Sequence, residues 1–109
     1  MTANFKTLHA TFLVCLLLVS AGTLASERGR EVYADWCLPC HADSPFAPGT
    51  IQLRATRGEA LAIVEKRDDL TAPAIRSLVR EGLAGMPKFR RTEISESDLD
   101  ALIAYLIKK

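Results

Sequence analysis

At 109 residues the chain is long enough for one small domain. Its formal net charge of +1 lacks the basic excess of a nucleic-acid binder, so no nucleic-acid partner is expected. No repeat or low-complexity tract is visible in it.

Residues 1–25 differ from the rest. They carry one charged side chain, Lys6, then the apolar run Phe12–Val19, and end in Thr23-Leu24-Ala25. A basic start, an apolar centre and small residues at the end predict a secretory signal peptide, cleaved after Ala25 to leave a domain over residues 26–109. The run is far short of the roughly 18–20 apolar residues that a membrane-spanning helix needs. No stable membrane insertion is expected after cleavage; an uncleaved anchor is the alternative. Cys15, between Phe12-Leu13-Val14 and Leu16-Leu17-Leu18, lacks a lipoprotein setting and reads as part of the signal. Cleavage removes Lys6, which leaves the remaining chain formally neutral.

So short a polypeptide has a marginal core of its own. Small secreted domains compensate with disulfides, a metal or a cofactor. A bridge between Cys37 and Cys40 would close a tiny loop and constrain little. These cysteines are therefore read as chemistry or as attachment points.

The first predicted helix spans about Glu27–Trp36, capped by Ser26, with Gly29, Val32, Tyr33 and Trp36 on one face. Leu38 to about Arg57 reads as a loop, because Pro39, Pro45, Pro48 and Gly49 interrupt it. Gly58–Lys66 is a short apolar stretch expected to be helical. Thr71 is placed to cap a further helix that has Pro73 in its first turn, Ile75, Leu78 and Val79 on one face, and Gly82 as its stop. A loop with Gly85-Met86-Pro87 follows. Ser95 and Asp98 are spaced as a capping box for the last helix, whose stripe is Leu99, Leu102, Ile103 and Leu106. Lys108-Lys109 suit the negative end of its dipole. No segment alternates with period two, so the expected class is all-α. Loops this long in so small a domain call for a non-protein centre.

Cys37-Leu38-Pro39-Cys40-His41 is C-x-x-C-H, the haem-attachment pattern. Two cysteines at this spacing can reach two vinyl groups on one porphyrin edge, and the adjacent His reaches the iron. The expected cofactor is one haem c, covalent through Cys37 and Cys40. Two other readings compete. Trp36-Cys37-Leu38-Pro39-Cys40 is also the W-C-x-P-C pattern of a thiol–disulfide oxidoreductase, in which Cys37 is a low-pKa nucleophile. That fold wants a strand before the motif, and residues 29–36 have helical spacing. A zinc site needs four ligands, more than two Cys and one His supply.

Residues 26–109 hold one His, His41, and one Met, Met86. Bis-His ligation within the domain is excluded, and Met86 is the one thioether available as second axial ligand; the alternative is Met86 as core filler. A six-coordinate iron leaves no open position for substrate, which points to electron transfer rather than catalysis. A haem sensor or peroxidase that loses Met86 as ligand is the remaining possibility.

The chain resembles class I cytochromes c over nearly all of residues 26–109. Gly29-x-x-x-Tyr33, Cys37–His41, Met86-Pro87 and Leu102-Ile103-Ala104-Tyr105-Leu106 carry the resemblance. It implies a cytochrome c-like fold of three to five short helices around the haem, with the first and last helices crossing at Gly29 between Tyr33 and Tyr105. It also implies a proline carbonyl, here that of Pro48, orienting the second ring nitrogen of His41. Ala47 departs from the usual glycine before that proline. Val79–Leu83 with Met86-Pro87-x-Phe89 looks like the small cytochrome subunits that take electrons from periplasmic flavoprotein dehydrogenases, the p-cresol methylhydroxylase type among them. The resemblance implies a periplasmic carrier, with a flavoprotein or other dehydrogenase as donor and a cytochrome or oxidase as acceptor. Phe89 would pack on the haem edge or anchor the loop. Lys88, Arg90 and Arg91 form either a solvated loop or a docking surface for an acidic partner.

Overall fold

The computed structural model describes residues 22–107. Residues 1–21 of the expected signal peptide, and the expected dipole pairing of Lys108-Lys109, lie outside the described residues. Five α-helices follow in order: α1 over 22–36, α2 Leu38–His41, α3 Pro48–Arg57, α4 Ala72–Glu81 and α5 Glu96–Leu106. Two 3-10 turns, Glu59–Leu61 and Val64–Lys66, lie between α3 and α4. Among the described residues there is no strand, only one antiparallel bridge between Leu83 and Met86. The fold is all-α, as the patterning predicts.

Local signals hold at α4 and α5. The Thr71 hydroxyl accepts from the Ala74 N–H, and the Ser95 hydroxyl from the Asp98 N–H at 3.1 Å. Gly82, at φ 70°, ends α4 and donates its N–H to the Leu78 carbonyl. Three expectations are corrected. α1 is already helical at residue 22, so Ser26 lies within it rather than capping it. The expected loop Leu38–Arg57 contains a ten-residue helix, α3. Pro48 stands at its first position, where a pre-set φ helps and a missing N–H costs nothing. Gly58–Lys66 is two separate 3-10 turns, broken where Ile63 is extended at φ −96°, ψ 104°.

The core joins Val32 and Tyr33 of α1, Ile75 and Val79 of α4, and Leu99, Leu102, Ile103, Tyr105 and Leu106 of α5, with Ile94 from the connecting loop. α1 and α5 meet at Gly29. A Cβ there would overlap the Ala101 carbonyl oxygen and lie 2.6 Å from Tyr105 Cβ, so only glycine permits this approach. Tyr33 and Tyr105 form a tilted ring pair beside it, centroids 5.9 Å apart at 50°. Arg28 clamps the same crossing, Nε to Asp98 Oδ1 at 2.8 Å and Nη2 to Oδ2 at 3.1 Å. The Tyr105 hydroxyl donates to Glu65, which ties the second 3-10 turn to α5.

Candidate functional site

C-x-x-C-H is folded as a single helical turn at the junction of α1 and α2. The Cys37 N–H donates to the Tyr33 carbonyl at 2.9 Å, and the His41 N–H to the Cys37 carbonyl at 2.9 Å. Cys37 and Cys40 are both free thiols, three residues apart on this turn; Cys37 is half-buried against the core and Cys40 is exposed. Burial, with the neighbouring Cys40 adding to it, pushes the Cys37 thiol up to about 12. A redox dithiol needs the opposite, a thiolate at neutral pH. Helix precedes the motif where that reading wants a strand.

His41 is half-buried, and burial holds its pKa below the usual imidazole value, which favours the neutral, metal-ligating form. Its Nδ1 is buried with no hydrogen-bond partner. The hydrogen bond expected between that nitrogen and the Pro48 carbonyl is therefore not formed; Pro48 is the exposed first residue of α3. Gly49 is the residue that meets the ring. A Cβ on it would stand 2.7 Å from His41 Cε1, 2.9 Å from Nδ1 and 2.7 Å from the Cys40 carbonyl oxygen. Next to it, fully buried Thr50 donates its hydroxyl to the Ala42 carbonyl at 2.7 Å, and the Tyr33 hydroxyl donates to the His41 carbonyl at 3.2 Å. The first turn of α3 is thus the floor under the motif. Sequence patterning named Gly49 only as a loop breaker and did not name Thr50. The available signal was Pro48 as a helix start, and it was read as loop punctuation.

Met86 closes a tight turn, its N–H donating to the Leu83 carbonyl at 2.9 Å and its carbonyl accepting from the Leu83 N–H at 3.2 Å. Ala84 within the turn has φ 52°, and a Cβ on Gly82 would lie 2.6 Å from the Met86 carbonyl oxygen. Met86 itself is half-buried against the core. Three residues on, the Phe89 N–H donates to the Val79 carbonyl at 2.8 Å, and its ring meets Trp36 edge-on, centroids 5.8 Å apart at 76°. Trp36 directly precedes Cys37. The Phe89–Trp36 contact therefore ties the Met86 loop to the cysteine motif, a role that sequence reading did not give Trp36, which it placed on a helix face and in the W-C-x-P-C pattern. In the basic cluster, Arg90 pairs with Glu93 at 3.5 Å and Arg91 with Glu96 at 2.9 Å. Lys88 is exposed and has no ion-pair partner among the described residues.

A family model described as cytochrome C oxidase, cbb3-type, subunit III matches residues 25–106. The chain belongs to this cytochrome c family. The oxidase in that description is the family's name and not a finding about this chain. No curated protein and no solved structure matches. A c-type cytochrome domain implies haem c and electron transfer, an electron carrier rather than an enzyme, and such domains are typically extracytoplasmic. The residues present fit the haem. Two free thiols lie on one turn, and a neutral imidazole with an unpartnered buried nitrogen is cradled by a glycine that no side chain could replace. Among the described residues no group of three or more His, Cys, Asp or Glu could hold a bare metal ion. None of the described helices is long and apolar enough to cross a membrane.

Proposed function

We propose that this cytochrome is a monohaem one-electron carrier of the bacterial periplasm, directed there by residues 1–25, which are then cleaved. Cys37 and Cys40 attach the haem, and His41 and Met86 are its axial ligands. The haem supplies one-electron redox chemistry at iron. The chain's own part is to hold a neutral imidazole against Gly49, to present one thioether from a closed turn, and to exclude water with Val79, Phe89 and the α1–α5 core. His/Met ligation favours ferrous iron over what harder ligands would give. The carrying observation is the Phe89–Trp36 contact, which brings the Met86 loop to the end of α1, directly before Cys37. His41 Nδ1 is the buried donor that a carbonyl of the Pro48-Gly49 segment would take once the ring is held by iron.

The purified, matured protein is expected to be red, with pigment that survives acid–acetone extraction and an oxidised spectrum that shows the sulfur–iron charge-transfer band. Met86→Ala is expected to remove that band and leave the covalent pigment in place. A band that persists in Met86→Ala would eliminate Met86 as ligand.

The donor is taken to be a dehydrogenase, on the resemblance of residues 79–89 to the cytochrome subunits of p-cresol methylhydroxylase-type flavoproteins, and the acceptor another cytochrome or an oxidase. Docking rests more on Lys88 than on Arg90 or Arg91, whose charges Glu93 and Glu96 offset. Lys88→Glu is expected to slow electron transfer with an acidic partner at low ionic strength and to leave the rate nearly unchanged at high salt. Equal rates at low salt would exclude a steering role.

A further inference from the structure

Arg80, in the last turn of α4, reaches two loop carbonyls. Its Nη1 donates to the Phe89 carbonyl at 3.1 Å and to the Ile94 carbonyl at 2.9 Å, and its Nη2 meets Glu96 Oε1 at 2.9 Å. Only 17 % of the side chain is exposed, and Nε is buried without a partner. A guanidinium so far out of water is costly unless most of its donors are used, and here they are used on the backbone on both sides of the loop that follows Met86. The preceding residue grips the same point, since the Val79 carbonyl accepts from the Phe89 N–H. Phe89 is thus held by both its N–H and its carbonyl, with its ring on Trp36. Only Gly82, the tight Leu83–Met86 turn and Pro87-Lys88 lie between α4 and this anchor.

We propose that Arg80 is a positioning residue for the sixth ligand: its planar fork pins the Phe89–Ile94 strap to the end of α4 and so keeps the Met86 thioether on the iron against competing ligands. The proposal rests on the reading of Met86 as axial ligand. Lysine cannot take its place, because a single ammonium lacks the planar fork that meets two carbonyls and a carboxylate together. Arg76, one turn earlier, is the natural control. It pairs with the same Glu96 at 3.2 Å and with Asp100 at 2.5 Å and makes no hydrogen bond to a loop carbonyl.

The test compares the ferric holoprotein with its Arg80→Gln, Arg80→Lys and Arg76→Gln variants. The readouts are imidazole affinity at neutral pH, the sulfur–iron band and helix unfolding on heating. Arg80→Gln is expected to bind imidazole about tenfold more tightly, the factor that about 1.4 kcal/mol gives. It should also lose the band at a lower temperature than its helices. Arg80→Lys should fall between it and the parent, and Arg76→Gln should match the parent in imidazole affinity. A folded Arg80→Gln with the parent's imidazole affinity overturns the proposal, and so does an Arg76→Gln that tightens imidazole binding equally. If Arg80→Gln does not fold, Arg80→Lys decides by the same comparison. A parent protein without the band removes the Met86 reading and this proposal together. A parent with the band and an unresponsive Arg80 removes this proposal alone.

Discussion

Gly29→Val is expected to unfold most of the domain at temperatures where the parent is stable. The added atoms have nowhere to go. A Cβ at this position overlaps the Ala101 carbonyl oxygen and stands 2.6 Å from Tyr105 Cβ; these are backbone and Cβ atoms of α5 that no rotamer change can move. α1 and α5 must separate, and the contacts that depend on their approach separate with them: the Tyr33–Tyr105 ring pair, the Arg28–Asp98 clamp, and Val32 among the core residues. Overpacking costs about 1–3 kcal/mol where side chains can yield; here they cannot, so about 3 kcal/mol is a floor. For a domain of this size that lowers Tm by roughly 12–24 °C at ~4–8 °C per kcal/mol. Thermal unfolding followed by circular dichroism reads it directly. Gly85→Ala is the control, because a Cβ there meets nothing within 4 Å, and its Tm should stay close to the parent's. A Gly29→Val protein that melts with the parent would mean that the helices do not cross here.

Replacing Cys37 and Cys40 together by alanine is expected to abolish covalent pigment completely and to cost most of the helical signal. Both thiols lie on one helical turn, so they face one edge of whatever they bind. The turn is held from three sides, by the Tyr33 hydroxyl on the His41 carbonyl, Thr50 on the Ala42 carbonyl and Gly49 against the imidazole. A group that binds the folded chain and not the unfolded one stabilises the fold by mass action, and the proposed attachment through Cys37 and Cys40 would keep it from dissociating. A core cluster of ten buried residues among those described is slender without that support. The measurements are the absorption that remains after acid–acetone extraction and far-ultraviolet circular dichroism of the same sample. Pigment that survives extraction in the double variant would break the link between these thiols and the cofactor.

Much of this protein was legible from residues within a turn or two of one another. C-x-x-C-H names its chemistry by spacing, and Thr71, Ser95 and Gly82 mark helix ends through hydrogen bonds to neighbours three or four residues away. The α5 stripe Leu99, Leu102, Ile103 and Leu106 is entirely buried, as its period demands. Gly29 at the helix crossing came from family resemblance and is carried by the observed close approach.

What stayed hidden depends on partners far apart in the chain. α3 looked like a loop because its apolar stripe is thin, with Thr50 its one buried residue, and because Pro48 and Gly49 break helices elsewhere. It is a helix because Pro48 suits a first turn, and its place under His41 is set by Thr50 bonding Ala42 and by Gly49 admitting the ring. Trp36 gains its meaning only when Phe89 folds back onto it, and Arg80 only when two loop carbonyls arrive at its guanidinium. Spacing along a chain reports caps, stripes and attachment motifs, since these are local geometry. Which carbonyl a buried donor finds, and which backbone a glycine lets in, are properties of the packed molecule.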